Sequence, residues 1–469
     1  MGGDDLCFSD ATRLAELIRT GEVSPVEVVQ AHLDRIEMVN PGVNAVVTLM
    51  AEDALRAAKT AEAAVMAGVV LGPFHGVPFS IKDSIDTAGI LTQRGSKLFA
   101  GNVPDQDATA VVRMKGAGAI PLMKTNVPEF SAWWETDNLV TGRTNNPWNL
   151  QRTSGGSSGG ESAAIAAGLS PVGLGSDVGI SVRGPAALTG IVALKATHGR
   201  VPYTGHWPEA LSRFWHIGPM ARTVRDVAAA YGVLKGPDGI DGYAIHAQAA
   251  MPARPPQPGQ PLRIGWLVEP GFGPVDAEVA AAVAGAAQLL EGFGCDVEQV
   301  RMPILEGIDC TELATILFAD LAPYLRPWIT GHEAELSPVG LRSANRPLPS
   351  FEDYVAAEAK VERLKSAFAG YFQRYDVLLC PVITFTAPPH GQKEYEVNGQ
   401  KVPTAQMMRA TLPFNLTGLP ALSVPFRFSS DGLPIGLQLV GSWLDEATIL
   451  RLGAVIETAS DVSGRRPGL

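Results

Sequence analysis

Apolar and polar positions along the chain fall into two textures. In the first seventy residues the apolar positions recur at helical spacing. Ser24-Pro25-Val26-Glu27 is a capping box with proline at the first helical position, and Val28, Val29, Leu33 and Ile36 follow it. Asn40-Pro41-Gly42 is expected to stop that helix, and an alanine-rich helical pattern resumes over 51–67. From Gly76 onward, short apolar runs alternate with helical segments. Residues 76–81, 119–123 and 172–174 read as strands, and residues 109–115 and 158–167 as helices. After a stretch with five prolines, residues 248–261, the alternation returns as strand 262–268, helix 277–290 and strand 297–300. This predicts an α/β fold with a central sheet covered by helices on both faces.

Because the pattern resumes, we read the proline-rich stretch as a surface crossover within one domain spanning 1–469. On this reading 1–70 are N-terminal helices, 71–247 a core, 248–261 the crossover, and 262–469 the remaining sheet with a pocket wall. Residues 337–349 look like a loop and, with the aromatic residues around them, are expected to belong to that wall.

Composition narrows the function classes. Hydrophobic residues make up 46% and charged residues 18%, so a large core can be buried. A net charge of −11 without any basic run argues against a nucleic-acid partner, since phosphate binding draws on clustered Lys and Arg. No run of about 18 apolar residues predicts a membrane span, and the polar start, residues 1–10, does not resemble a signal peptide. Cys7, Cys295, Cys310 and Cys380 are scattered, and the histidines show no HExxH. Reduced thiols in a cytoplasmic protein with no metal and no cofactor are therefore expected.

Three segments carry candidate chemistry. Gly76-Val77-Pro78-Phe79-Ser80-Ile81-Lys82-Asp83 places Lys82 at the end of an apolar strand. A lone lysine there ordinarily snorkels to solvent, whereas a desolvated one loses its proton more easily and can act as a base. Thr153-Ser154-Gly155-Gly156-Ser157-Ser158-Gly159-Gly160 feeds small residues into an alanine-rich helix. It lacks the lysine of a phosphate loop. Its Gly155–Gly159 stretch matches GxSxG, but the polar residues before it do not read as the strand that such an elbow needs. Gly175-Ser176-Asp177-Val178-Gly179-Ile180-Ser181-Val182-Arg183 runs from a strand through a turn into a helix. It is either an ordinary connection or one that points several N–H groups at one spot.

In this order and spacing, with Ser157 75 residues after Lys82 and Ser181 24 after Ser157, the three segments resemble the amidase-signature family of hydrolases. The resemblance continues through residues 195–202, 218–226, 414–421 and 432–441, so it spans most of the chain. It implies the amidase-signature fold and an acyl-enzyme mechanism, with Ser181 as nucleophile, Ser157 after a cis peptide bond as bridge, and Lys82 as base. The backbone N–H groups of Val178, Gly179, Ile180 and Ser181 are the implied oxyanion donors. Ser158, Asp177 and Arg183 are expected to hold the turns, and no histidine is called for. The family usually carries glycine where this chain has Ile180. A β-branched residue is strained at positive φ, and its side chain would reshape the space beside the reacting carbonyl.

The resemblance leaves the acyl group open. Trp133, Trp134, Phe214, Trp215 and the segment 310–328 are candidates for an apolar or aromatic pocket, so a hydrophobic or aryl amide is the expected substrate. Carbamates (urethanes) and esters present a similar carbonyl. The alternatives are a glutaminase component of a tRNA-dependent amidotransferase, which needs partner subunits, and a binding protein with a decayed site. A monomer or homodimer acting on a small molecule is expected.

Overall fold

β-Branched and leucine-rich runs form the centre of the structure. The computed structural model describes residues 2–69, 71–246 and 261–469, so the expected crossover at 248–261 lies outside the described residues apart from its last. In chain order the strands are β1 (Val46–Leu49), β2 (Pro78–Lys82), β3 (Ile120–Thr125), β4 (Asn145–Asn146), β5 (Asn149–Thr153), β6 (Val172–Asp177) and β7 (Val192–Lys195). They continue with β8 (His216–Ala221), β9 (Arg263–Trp266), β10 (Asp296–Gln299), β11 (Val377–Pro381), β12 (Glu394–Val397), β13 (Gln400–Pro403), β14 (Ala421–Phe428) and β15 (Pro434–Gly441). Eleven of these make one mixed sheet in the order β1-β3-β2-β6-β8-β7-β14-β15-β11-β9-β10. Strands from both sides of the undescribed stretch therefore share one sheet.

The sheet is flanked by helices because both of its faces are apolar. Along β11, Val377 and Leu379 enter one buried cluster while Leu378 and Cys380 enter another. A period of two sends these to opposite faces. The helix Ala277–Gly292 covers the first cluster with Val279, Val283 and Ala286. The helix Phe351–Tyr371 covers the second with Val361, Leu364 and Phe368. Among the described residues no helix is long and apolar enough to cross a membrane, and all four cysteines are unpaired.

Four local expectations need correcting. The helix Pro25–Val43 runs through Pro41 and ends at Asn44, whose φ of 53° makes the left-handed cap. Near a helix end proline removes only one backbone bond, so the stop moved to the next residue able to turn left-handed. The N-terminal region is not all helical, since β1 pairs antiparallel with β3 at the sheet edge. Residues 337–349 are not all loop, because Pro338–Asn345 is a helix capped by the Ser337 hydroxyl. Asn149–Thr153 is a strand despite its polarity; it pairs with β4 in a two-stranded ribbon outside the main sheet, with a further bridge from Arg152 to Pro389.

Candidate active site

β2 and β6 lie parallel, with Ser80 opposite Gly173 and Ile81 opposite Leu174. Their carboxyl ends therefore deliver Lys82 and Asp177 to the same edge of the sheet, where open α/β sheets leave room for ligands. The serine loop reaches that edge through tight backbone. Gly155 has φ of 83°, and a Cβ on Gly156 would come within 2.7 Å of the Trp134 carbonyl carbon. The Gly156–Ser157 peptide is cis, as the family resemblance implied.

Lys82 is fully buried, and its Nζ lies 2.6 Å from Ser157 Oγ. It also reaches Ser176 Oγ at 3.0 Å and the Ser176 carbonyl at 3.3 Å. Burial lowers its pKa to about 7, against the opposing pull of Asp177 and Glu161. The lysine is thus a desolvated group and not a snorkelling one.

The turn after β6 is held by a buried ion pair. Arg183 meets Asp177 through Nε and Nη2, both at 3.0 Å, and Asp177 also accepts from the backbone N–H of Val182 at 3.1 Å. Burial alone would raise the Asp177 pKa; the Arg183 charge and the hydrogen bonds overcome it and hold the carboxylate down to about 2. Asn415 donates to Asp177 Oδ1 at 2.9 Å, and Gln438 accepts from Arg183 at 2.8 Å. Asn415 and Gln438 come from the two C-terminal motifs. Ser158 ties the two loops together: its N–H donates to the Ser181 carbonyl at 3.2 Å, and its hydroxyl to the Ser176 carbonyl at 3.3 Å.

Among the described residues, the N–H groups of Val178, Gly179, Ile180 and Ser181 have no protein acceptor. Ile180 does not adopt positive φ, so the strain that a branched side chain would meet there is absent. Its side chain is 3% exposed and packs with Trp134 and Ile383.

These four residues border a cavity of about 250 Å³. Trp133, Trp134 and Trp215 line it, and the helix Cys310–Ile329 contributes Thr311, Ala314, Leu317, Phe318 and Leu321 from one face. Phe214 is a correction. It is buried beneath the Arg213 guanidinium, 4.5 Å from its ring centroid, and takes no part in the lining. Arg342 and Arg346, from the segment 337–349 expected in the wall but not singled out there, also line it: Arg342 lies 4.6 Å over the Trp133 ring, and Arg346 lies 3.9 Å over Phe318. The helix that brings them is anchored by buried Glu129, which accepts from the Ser337 N–H at 2.8 Å and the Ser337 hydroxyl at 2.5 Å.

At one sheet edge the structure thus brings together Lys82, Ser157, Ser181 and a turn whose N–H groups find no protein acceptor among the described residues. The chain also matches the Amidase family profile over residues 27–450. It belongs to the amidase-signature family. Within that family it is similar to the A subunit of glutamyl-tRNA(Gln) amidotransferase from Acidothermus cellulolyticus, 36% identical over 97% of this chain and 95% of that protein. Among solved structures it resembles 6-aminohexanoate cyclic dimer hydrolase, with a TM-score of 0.88 and 32% identity over 98% of this chain and 99% of that one. A bacterial aryl acylamidase superposes with a TM-score of 0.86 and 28% identity over 98% of this chain and 99% of that chain. The protein is accordingly an amidase-family hydrolase of C–N bonds.

Two members of this amidase site went unnoticed in the sequence. Ser176 sat within a quoted motif without a role, and its Oγ lies 2.7 Å from Nε2 of His206, a histidine that belongs to no motif. Nothing in the spacing could have connected His206 with Lys82, because only the tertiary fold brings their segments together.

Proposed function

We propose that this amidase cleaves its substrate through an acyl-enzyme on Ser181, with Ser157 and Lys82 as proton relay. As Ser181 Oγ attacks the carbonyl carbon, its proton passes to Ser157 Oγ while the Ser157 proton passes to neutral Lys82. Oxygen bears the negative charge of the tetrahedral intermediate and is met by the N–H groups of residues 178–181. The C–N bond then breaks, the leaving nitrogen takes a proton back through Ser157, and water repeats the sequence to release the acid. The observation that carries this reading is the 2.6 Å contact from Lys82 Nζ to Ser157 Oγ at a lysine whose pKa burial lowers to about 7.

Two substrate readings have support. Kinship favours glutamine more directly, since the Acidothermus cellulolyticus amidotransferase chain is 36% identical over nearly the whole length. The cavity favours a hydrophobic or aryl amide. Its walls carry Trp133, Trp134, Leu317 and Phe318, and its described lining includes Arg342 and Arg346 but no carboxylate for the ammonium of glutamine. Hydrolysis of aryl amides, aliphatic amides, carbamates, esters and glutamine by the purified chain separates them. Turnover of aryl amides without a partner supports the free amidase; turnover of glutamine alone, or only with partner subunits, supports the amidotransferase reading. Loss of all turnover in Ser181→Ala tests the nucleophile in either case.

A further inference from the structure

The relay works only if the lone pair of neutral Lys82 faces Ser157, and a chain of hydrogen bonds behind the lysine bears on that. Its far end is a carbonyl, which can only accept: the Tyr203 hydroxyl donates to the Pro208 oxygen. With its proton committed, Tyr203 Oη accepts from His206 Nδ1, 3.1 Å away. A neutral histidine that donates from Nδ1 is an acceptor at Nε2. At Nε2 the Ser176 hydroxyl, 2.7 Å away, therefore donates, with Ser84 Oγ a more distant neighbour at 3.2 Å. Ser176 Oγ is then left as an acceptor toward Lys82 at 3.0 Å, and the Ser176 carbonyl accepts at 3.3 Å. Both N–H bonds of a neutral Lys82 are thereby taken, and its lone pair is left for the Ser157 proton.

We propose that His206 is a positioning residue for the lysine base: acting through Ser176, it holds Lys82 with its lone pair toward Ser157. This rests on the reading of Lys82 as the base. Were His206 protonated or in the other tautomer, Nε2 would donate, the Ser176 hydroxyl would turn to the Lys82 lone pair, and Ser157 would lose its acceptor. The surroundings oppose protonation. The ring is buried among Tyr203, Trp215, Ser84 and Ser176, the charged groups acting on it are Lys82 and Arg94, and burial and these cations push its pKa well below the usual value.

The test is a double-mutant cycle on a hydrolysable amide or activated ester. His206→Leu is expected to lower kcat by roughly tenfold or more with KM little changed, and His206→Gln, which keeps an acceptor, to restore most of it. In a Lys82→Ala background, His206→Leu is expected to cost almost nothing further. An equal loss in both backgrounds, a Gln variant as impaired as Leu, or an unchanged kcat in His206→Leu would each overturn the proposal. Tyr203→Phe keeps the ring but releases the tautomer; it is expected to lower kcat about threefold or more at constant KM, and an unchanged kcat contradicts the proposal even if His206→Leu does not fold. The Lys82→Ala arm separates the two levels, since a near-normal rate there would remove the lysine base itself, whatever His206 does.

Discussion

The floor and the wall of the cavity are built on different principles. In the floor, Lys82, Ser157, Asp177 and Arg183 are all buried and each is hydrogen-bonded to groups on the sheet ends or on the motif loops. In the wall, Trp133, Phe318, Arg342 and Arg346 come from a loop and two helices and meet through ring faces and guanidinium planes. A buried polar group without its partner costs far more than a displaced aromatic contact. The floor therefore tolerates little change of residue type, whereas the wall can be rebuilt with small cost to stability.

Substitutions can break this contrast at several points. The largest expected effect is Ser181→Ala, which on the proposed mechanism removes the nucleophile: kcat/KM on an aryl amide should fall by about 10⁴ or more with the melting temperature retained. Lys82→Ala should follow with a loss on the order of 10²–10⁴. It should also abolish the pH dependence of the wild type, whose rate is expected to rise with pH through about 7 as the lysine loses its proton. A wild-type profile that falls between neutral and mildly alkaline pH, with the protein still folded, would contradict a lysine base.

Arg183→Met tests the floor as structure. It strands the Asp177 carboxylate in the core, and chemical denaturation should show about 3–5 kcal/mol of lost stability. Because the folded Asp177 pKa is depressed to about 2 from its ordinary 3.8, the wild-type pair contributes fully above pH 3.8. That contribution is lost as pH falls toward 2, and Arg183→Met should flatten this part of the acid-stability curve. The smallest effect is expected in the wall. Trp133→Ala should change stability by about 1 kcal/mol or less, because Trp133 is only part-buried, while altering KM among acyl groups by up to about tenfold. A Trp133 variant that loses kcat equally on every substrate would place it in the floor instead.

How much was legible differs between these same regions. The floor was legible because its chemistry demands small residues and charges at set places in short motifs: Gly155 and Gly156 where backbone crowds, Asp177 and Arg183 six residues apart across one turn. Helix caps were legible for a similar reason, since Ser24 and Glu27 act on backbone three residues away. The wall was half legible. Trp133, Trp134 and Trp215 stood out as large apolar groups, but Phe214 next to Trp215 is buried under Arg213 away from the cavity, and nothing local separates the two cases. The helix Pro338–Asn345 was hidden because it is held by Glu129, a residue 208 positions earlier than Ser337.

By itself the sequence determined the alternation that makes a sheet flanked by helices, the order of the three motifs, and the residue types able to move a proton to and from a serine. These follow from local spacing, which backbone geometry converts directly into turns, strands and helices. Only the tertiary structure decided that Lys82 is desolvated, that Ile180 sits without positive φ, and that His206 stands behind Ser176. Burial, and the direction of a hydrogen bond, depend on what remote segments bring to a site, and no spacing along the chain carries that information.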